Sequence, residues 1–406
     1  SVLVVRWWDY QVNPTWSDFA VTNDGMLRDL VDGPSGIFPV LAGDFEVYTI
    51  FVQKSEDLDS ISEHWAQAVL QGLNTVVWYF LWPCQRADDK MPGCVNERYF
   101  FSLQQRMERA GLRSGWPHPS TLYRQLCGKL WLPQMSLNKE WRVPTTVKVQ
   151  FADVRRDAQA AAKQAIDALL LIGAKKNASS IQSANGFYGV AKLGFSWQGD
   201  DVLPFAGILN LSRVLQRLLN QPGGEQLHCF VQELVPDVVC EHRVLCFRNE
   251  REGPQRFVRE HLWLRMKTRG EHHNHQAACE VHSFALASAK VVSDLEAGRE
   301  FFGGDADAVH EVVATTDFLA DKWLLWFLSE DAEPPPVTRL DFLVSWRIGG
   351  KPQVWTCEVG ECGASLCSVE CDARNCATLN WAVREDPSGR FPMALPKICR
   401  NSGWKS

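Results

Sequence analysis

The sequence predicts a mixed α/β protein made of several layers. Three observations carry this. Strand and helix patterns alternate through the first 115 residues. A strand–turn–strand segment then sits between two strong helical patterns. The last part of the chain is strand-rich and reaches an antiparallel hairpin at residues 338–360. Alternation at the start suggests an open α/β layer, and the later strand runs suggest antiparallel sheets.

Each element has a local reason. "VLVVRWW" is a short β-branched run without turn residues and reads as a buried strand. "LDSISEHWAQAVLQGLN" reads as a helix, with Ser60 as N-cap, Glu63 at capping-box spacing and Gly72 near its end. "TVVWYFLWP" is a second buried strand closed by Pro83, and the helix from Asn96 is stopped by Gly111. Short helical pieces follow, then the strand "VPTTVKV" and an Ala/Leu-rich helix over 153–176. "GFYGVAKLGFSWQGDDV" is a strand, a Gly/Ser turn and a returning strand; "GILNLSRVLQRLLNQPGG" is a helix with a Pro-Gly-Gly stop. "LHCFVQELV" and "EHRVLCF" are strands, and "RFVREHLWLRMK" alternates well enough to pair with the second. The helix of 307–331 leads through "AEPPP" into two strands joined by the turn "RIGGK".

Composition sets limits. A chain of 406 residues suggests two or three domains or one large composite unit. With 46% hydrophobic and 22% charged residues, it can bury a real core. A net charge of −6 gives no electrostatic footprint for nucleic acid. No apolar run reaches the length of a membrane span. The chain begins at Ser1, so its start says nothing about targeting. Thirteen dispersed cysteines, an odd number, read as reduced thiols, which points to a soluble protein of a reducing compartment.

The chemistry-bearing residues fall into three groups. Lys192 projects from a strand beside a Gly/Ser loop, where an ammonium and backbone N–H groups can meet the same phosphate; a plain exposed strand lysine fits the same pattern. Asp341 and Glu358 lie on the two strands of the hairpin, and antiparallel pairing brings them together. Paired carboxylates repel unless a cation neutralises them, and Mg²⁺ suits few carboxylates plus phosphate and water. Arg339 shares the face of Asp341. Third, "FVQELVPDVVCEHRV" ends one strand and starts another, offering backbone groups to a flat heterocycle.

These pieces, in this order, resemble the ATP-grasp superfamily of carboxylate–amine ligases, over about Val2 to Ser368. The resemblance implies an ATP-grasp fold: an N-terminal open α/β domain (1–115), a small lid domain (116–222) and a central antiparallel sheet domain (223–406). It implies Lys129 and Lys192 as ATP-contacting lysines, with Gly194 and Ser196 in the phosphate loop. Glu233, Leu234 and Val235 would line the adenine, and Glu241 would hold the ribose. Arg243 would reach phosphate or acyl phosphate beside Arg339. The metal carboxylates would be Asp341 and Glu358, for Mg²⁺ or Mn²⁺. Where that family has an asparagine two residues after the metal glutamate, this chain has Gly360; Glu361 is the nearest substitute. Bulky Trp197 stands in the phosphate loop. The implied activity is ATP-dependent amide formation between small-molecule or peptide carboxylate and amine substrates, through an acyl phosphate. The alternative is a weak or inactive binding protein on the same fold.

Two other constellations are set aside. Cys357, Cys362, Cys367, Cys371 and Cys376 lack the tight pairs of a zinc knuckle, and alternation sends Cys357 to the face opposite Glu358. "RGEHHNHQAACEVHSF" gathers four histidines and a cysteine but reads as a polar loop.

Overall fold

A computed structural model of the chain describes residues 2–7, 47–64, 66, 76–85, 93–176, 186–195, 201–220, 227–248, 257–265, 290–330 and 337–360. Ser196, Trp197, Glu361, the histidine-rich segment, the "AEPPP" connector and the cysteines after Cys357 lie outside them.

Four parallel strands form the first sheet, in order β2-β1-β3-β6: β1 (Val2–Trp7), β2 (Val47–Val52), β3 (Val76–Phe80) and β6 (Arg113–Trp116). The strands β4 (Trp82–Cys84) and β5 (Cys94–Asn96) pair alongside. Helix α2 (Glu97–Arg109) begins where the Asn96 side chain accepts from the Arg98 N–H, 3.0 Å away. Its Phe100, Leu103 and Met107 bury against Leu3, Val5, Val77 and Tyr79. Gly111 ends it with φ +84.

Two local expectations shift. Where the sequence places a helix starting at Ser60, a short helix, α1 (Asp57–Ser60), ends and the chain is extended at Ile61; most of the expected helix, with Gly72, lies outside the described residues. Arg106 explains the break: it donates to the Leu58 and Ile61 carbonyls and to the Glu63 carboxylate, all at 2.8–2.9 Å. Pro83 lies within β4 rather than closing β3.

The helices α3 (Ser120–Cys127) and α4 (Trp131–Ser136) lead to a second, antiparallel sheet, ordered β7-β10-β8-β9. Its strands are β7 (Thr146–Gln150), β8 (Tyr188–Leu193), β9 (Val202–Ala206) and β10 (His228–Glu233). The small sheet therefore takes an interior strand from beyond residue 222. Helices α5 (Phe151–Lys176) and α6 (Gly207–Leu219) cover one face through Ala162, Ile166, Leu211 and Leu215. α5 is interrupted at Asp157, whose carboxylate accepts from the N–H groups of Gln159 and Ala160 and so caps the longer part.

The third sheet has five antiparallel strands, ordered β13-β12-β11-β14-β15. They are β11 (Val238–Arg248), β12 (Phe257–Arg265), β13 (Lys290–Val292), β14 (Val337–Ser345) and β15 (Gln353–Val359). The pairing of β12 with β11 and the hairpin β14–β15 are as the sequence suggests. Gly349, at φ +77, makes the hairpin turn possible. Helices α7 (Asp294–Phe301) and α8 (Ala306–Glu330) cover one face with Phe301, Val312, Trp323 and Phe327. No helix among the described residues is long and apolar enough to cross a membrane.

Candidate active site

The face of the large sheet that the helices leave uncovered carries the charges. On β14, Leu340, Phe342 and Val344 enter the core under α8, which turns Arg339 and Asp341 to the other face. On β11, Cys240, Val244 and Cys246 enter the same core, which sends Glu241 and Arg243 the other way. Arg243 lies directly opposite Asp341 in the β11–β14 ladder.

Strand β15 needs a second device. Val354 and Thr356 point to the core, so strict alternation would put Cys357 on the charged face and Glu358 in the core. The ladder slips here: Phe342 pairs with Thr356, but Asp341 pairs with Glu358. Cys357 is the extra residue of a β-bulge, and Val359 recovers the core side at 2% exposure. Glu358 thereby faces the same way as Asp341. This overturns the expectation that Cys357 points away from Glu358; both share the charged face. Burial, partly offset by Lys192 and reinforced by Glu241, Glu358 and Asp341, pushes the Cys357 thiol up to about 12.

The acids and arginines interlock. Arg243 Nε lies 2.9 Å from Asp341 Oδ1, and its Nη2 donates to Asp341 Oδ2 at 3.3 Å. The same Nη2 donates to Glu241 Oε1 at 2.9 Å. Arg339 Nη2 reaches Asp341 Oδ2 at 3.1 Å and Glu358 Oε2 at 3.3 Å. The Asp341 side chain is 2% exposed and that of Glu358 is 38% exposed. Burial would raise the Glu358 carboxyl, but Arg339, then Lys129, Arg243 and Lys192, hold it below the ordinary carboxylate value. Glu241 goes the other way: burial and neighbouring Asp341 raise it to about 7 against the pull of Arg243 and Arg339.

Both lysines come from the small-sheet side. On β8, Ala191 and Leu193 pack under the helices, so Lys192 takes the opposite face, directly across from Phe230. Phe230 is fully buried in the core of the large sheet, so this face of the small sheet looks toward the large one. Lys129 follows α3 in the left-handed region, at φ +54, and its Nζ donates to the Gly194 carbonyl at 3.1 Å. Gly194 has close neighbours on its Cα: a Cβ there would meet His228 Nε2 at 2.6 Å and Gln85 Oε1 at 3.3 Å. Gln85 and His228 are themselves 3.2 Å apart, Nε2 to Nδ1.

The segment joining the two sheets is fixed by its own bonds. The Glu233 carboxylate accepts from the Thr145 N–H and hydroxyl at 2.7 and 2.9 Å, and the Leu234 N–H donates to the Tyr188 carbonyl. Glu233, Leu234 and Val235 thus form a short bridge from the small sheet to β11. Gly360 is buried, its N–H donates to the Arg339 carbonyl at 2.7 Å and its carbonyl accepts from the Thr338 hydroxyl at 2.9 Å.

The structure thus gathers Lys129, Lys192, Arg243, Arg339, Glu241, Asp341 and Glu358 around one charged face. Sequence reasoning missed Gln85 and His228, which come together across 143 positions of chain and carry no local pattern. It also missed the bulge, for which the adjacent polar pair Cys357-Glu358 is the only local sign.

No family model matches this chain, and no curated protein matches it by sequence. Solved structures match it in fold. D-cycloserine synthetase superposes with a TM-score of 0.51 at 15% identity, over 98% of this chain and 99% of that one. D-alanyl-alanine synthetase A of Vibrio cholerae gives a TM-score of 0.49 at 11% identity, over 99% of this chain and 98% of that one. At such identities the likeness is one of fold, and the chain has the mixed α/β fold of D-cycloserine synthetase.

Proposed function

We propose that this chain binds ATP between its small and large sheets and uses it to join a carboxylate to an amine. The observation that supports this best is the convergence of four cationic side chains and three carboxylates from β8, β11, β14, β15 and the turn after α3. A triphosphate needs such a concentration of fixed cations, because phosphoryl transfer is promoted mainly by positioning and by spreading charge.

In this reading Lys129 and Lys192 hold the phosphates, with Gly194 and Ser196 as further candidate phosphate contacts. Glu233, Leu234 and Val235 line the base, and Glu241 is the ribose candidate. Arg243 and Arg339 meet the transferred phosphoryl group. The donor set suits a hard divalent cation: two carboxylates, Asp341 and Glu358, are register partners on one face. Glu361 is the further candidate ligand, since Gly360 has no side chain to offer. Mg²⁺ or Mn²⁺, when bound, would neutralise phosphate charge and orient the γ-phosphoryl group. The substrate carboxylate would attack the γ-phosphorus, breaking its bond to the bridging oxygen and releasing ADP to leave an acyl phosphate; the amine would then add to the acyl carbon, lose a proton and expel phosphate to form the amide. The lid sheet excludes water from the acyl phosphate. Small-molecule or peptide acids and amines are the substrate classes.

Thermal stabilisation by MgATP tests the nucleotide site: the expected result is a raised melting temperature that Lys192→Ala abolishes. No shift at millimolar MgATP would sink the proposal. Gly360 supports a second reading, a nucleotide-binding protein without ligase activity. Release of ADP and phosphate on adding acid and amine panels separates the two.

A further inference from the structure

We propose that Arg243 and Arg339 occupy the place of the divalent cation until a nucleotide draws them onto its phosphates, so that metal binds this chain only together with nucleotide. The inference rests on the nucleotide-site reading above and deepens it.

Asp341 is 2% exposed: its Oδ2 accepts from Arg243 Nη2 at 3.3 Å and lies 3.1 Å from Arg339 Nη2, while its Oδ1 lies 2.9 Å from Arg243 Nε as a charge contact without a hydrogen bond. One nitrogen, Arg339 Nη2, lies 3.1 Å from Asp341 and 3.3 Å from Glu358, between the two carboxylates that a bridging cation would neutralise. A guanidinium and a hard metal ion compete for the same lone pairs, so both cannot be satisfied there at once. The arginines also have somewhere to go. Arg243 keeps Glu241 at 2.9 Å as a second partner, and guanidinium forks match phosphate oxygens bidentately. A polyphosphate is therefore the ligand able to release the carboxylates, and coupling must be mutual: nucleotide tightens metal by the factor by which metal tightens nucleotide.

The test is direct Mn²⁺ binding to the full chain without nucleotide, read from the free-ion paramagnetic resonance signal and from melting temperature. Wild type is expected to bind Mn²⁺ only weakly. Arg339→Gln frees Glu358 and takes one of the two guanidinium groups from Asp341, leaving Arg243 there, and is expected to bind Mn²⁺ alone at least about tenfold more tightly, with Mn²⁺ now raising its melting temperature. Adding Asp341→Asn to that variant is expected to remove the gain. Arg339→Lys guards against a folding failure: a point charge cannot bridge both acids as a fork does, and it is expected to show a smaller gain. Wild type binding Mn²⁺ alone as tightly as Arg339→Gln, or no gain in either variant, would overturn the inference. If wild type ignores MgATP while Arg339→Gln gains Mn²⁺, the nucleotide reading fails and the arginine competition stands. If wild type binds MgATP and neither variant gains, only this inference fails.

Discussion

Gly194→Ala probes how the chain just after β8 is held. The new Cβ would lie 2.6 Å from His228 Nε2, 3.1 Å from Cε1 and 3.3 Å from Gln85 Oε1. Ordinary contact begins near 3.4 Å, so the imidazole would have to withdraw by about 0.8 Å. It has little freedom to do so. His228 is buried on an interior strand, and its Nδ1 is engaged by Gln85. Overpacking a site of this kind costs about 1–3 kcal/mol. The assay is urea denaturation of wild type, Gly194→Ala, His228→Ala and the double variant. Shrinking His228 opens the space, so the double variant should be more stable than the sum of single effects requires, by about 1 kcal/mol or more. Additivity within about 0.5 kcal/mol would refute the reasoning. MgADP affinity should fall in Gly194→Ala and recover in the double variant.

Two further predictions concern titration. Glu241 is raised from 4.5 to about 7 by burial and by Asp341, so the folded chain holds its proton through that window while the unfolded chain has lost it. Its contribution to stability is therefore full at low pH and declines as pH rises from about 4.5 to about 7; Glu241→Gln should flatten that slope in denaturation midpoints. An unchanged slope would contradict the burial of this carboxyl. The Cys357 thiol, pushed up to about 12, should resist iodoacetamide at pH 8 in the folded chain and react after unfolding, as peptide mapping would show. Rapid labelling of the native protein would contradict its placement.

Much of the fold was legible because its signals are local. The β14–β15 hairpin announced itself through Gly349-Gly350 between strand-like runs, and pairing across a tight turn put Asp341 beside Glu358. What was not legible depends on distant chain. The helix near Ser60 starts differently because Arg106, from another helix, takes the Leu58 and Ile61 carbonyls. β6 follows Gly111 and completes the first sheet, where the local pattern showed only the end of a helix. β10 joins the small sheet although nothing in "LHCFVQE" says which sheet will accept it. The bulge is the sharpest case. Counting by twos assigns Cys357, not Glu358, to the charged face; one inserted residue brings both there.

The proposed nucleotide site between the small and large sheets is tested most directly by a crystal structure of the chain with Mg²⁺ and a non-hydrolysable ATP analogue. The expected result places the base against Glu233–Val235, the phosphates between Lys129 and Lys192, and the metal on Asp341 and Glu358 with Arg243 and Arg339 turned to phosphate. An analogue bound elsewhere, or a charged face left unchanged at saturating analogue, would contradict it.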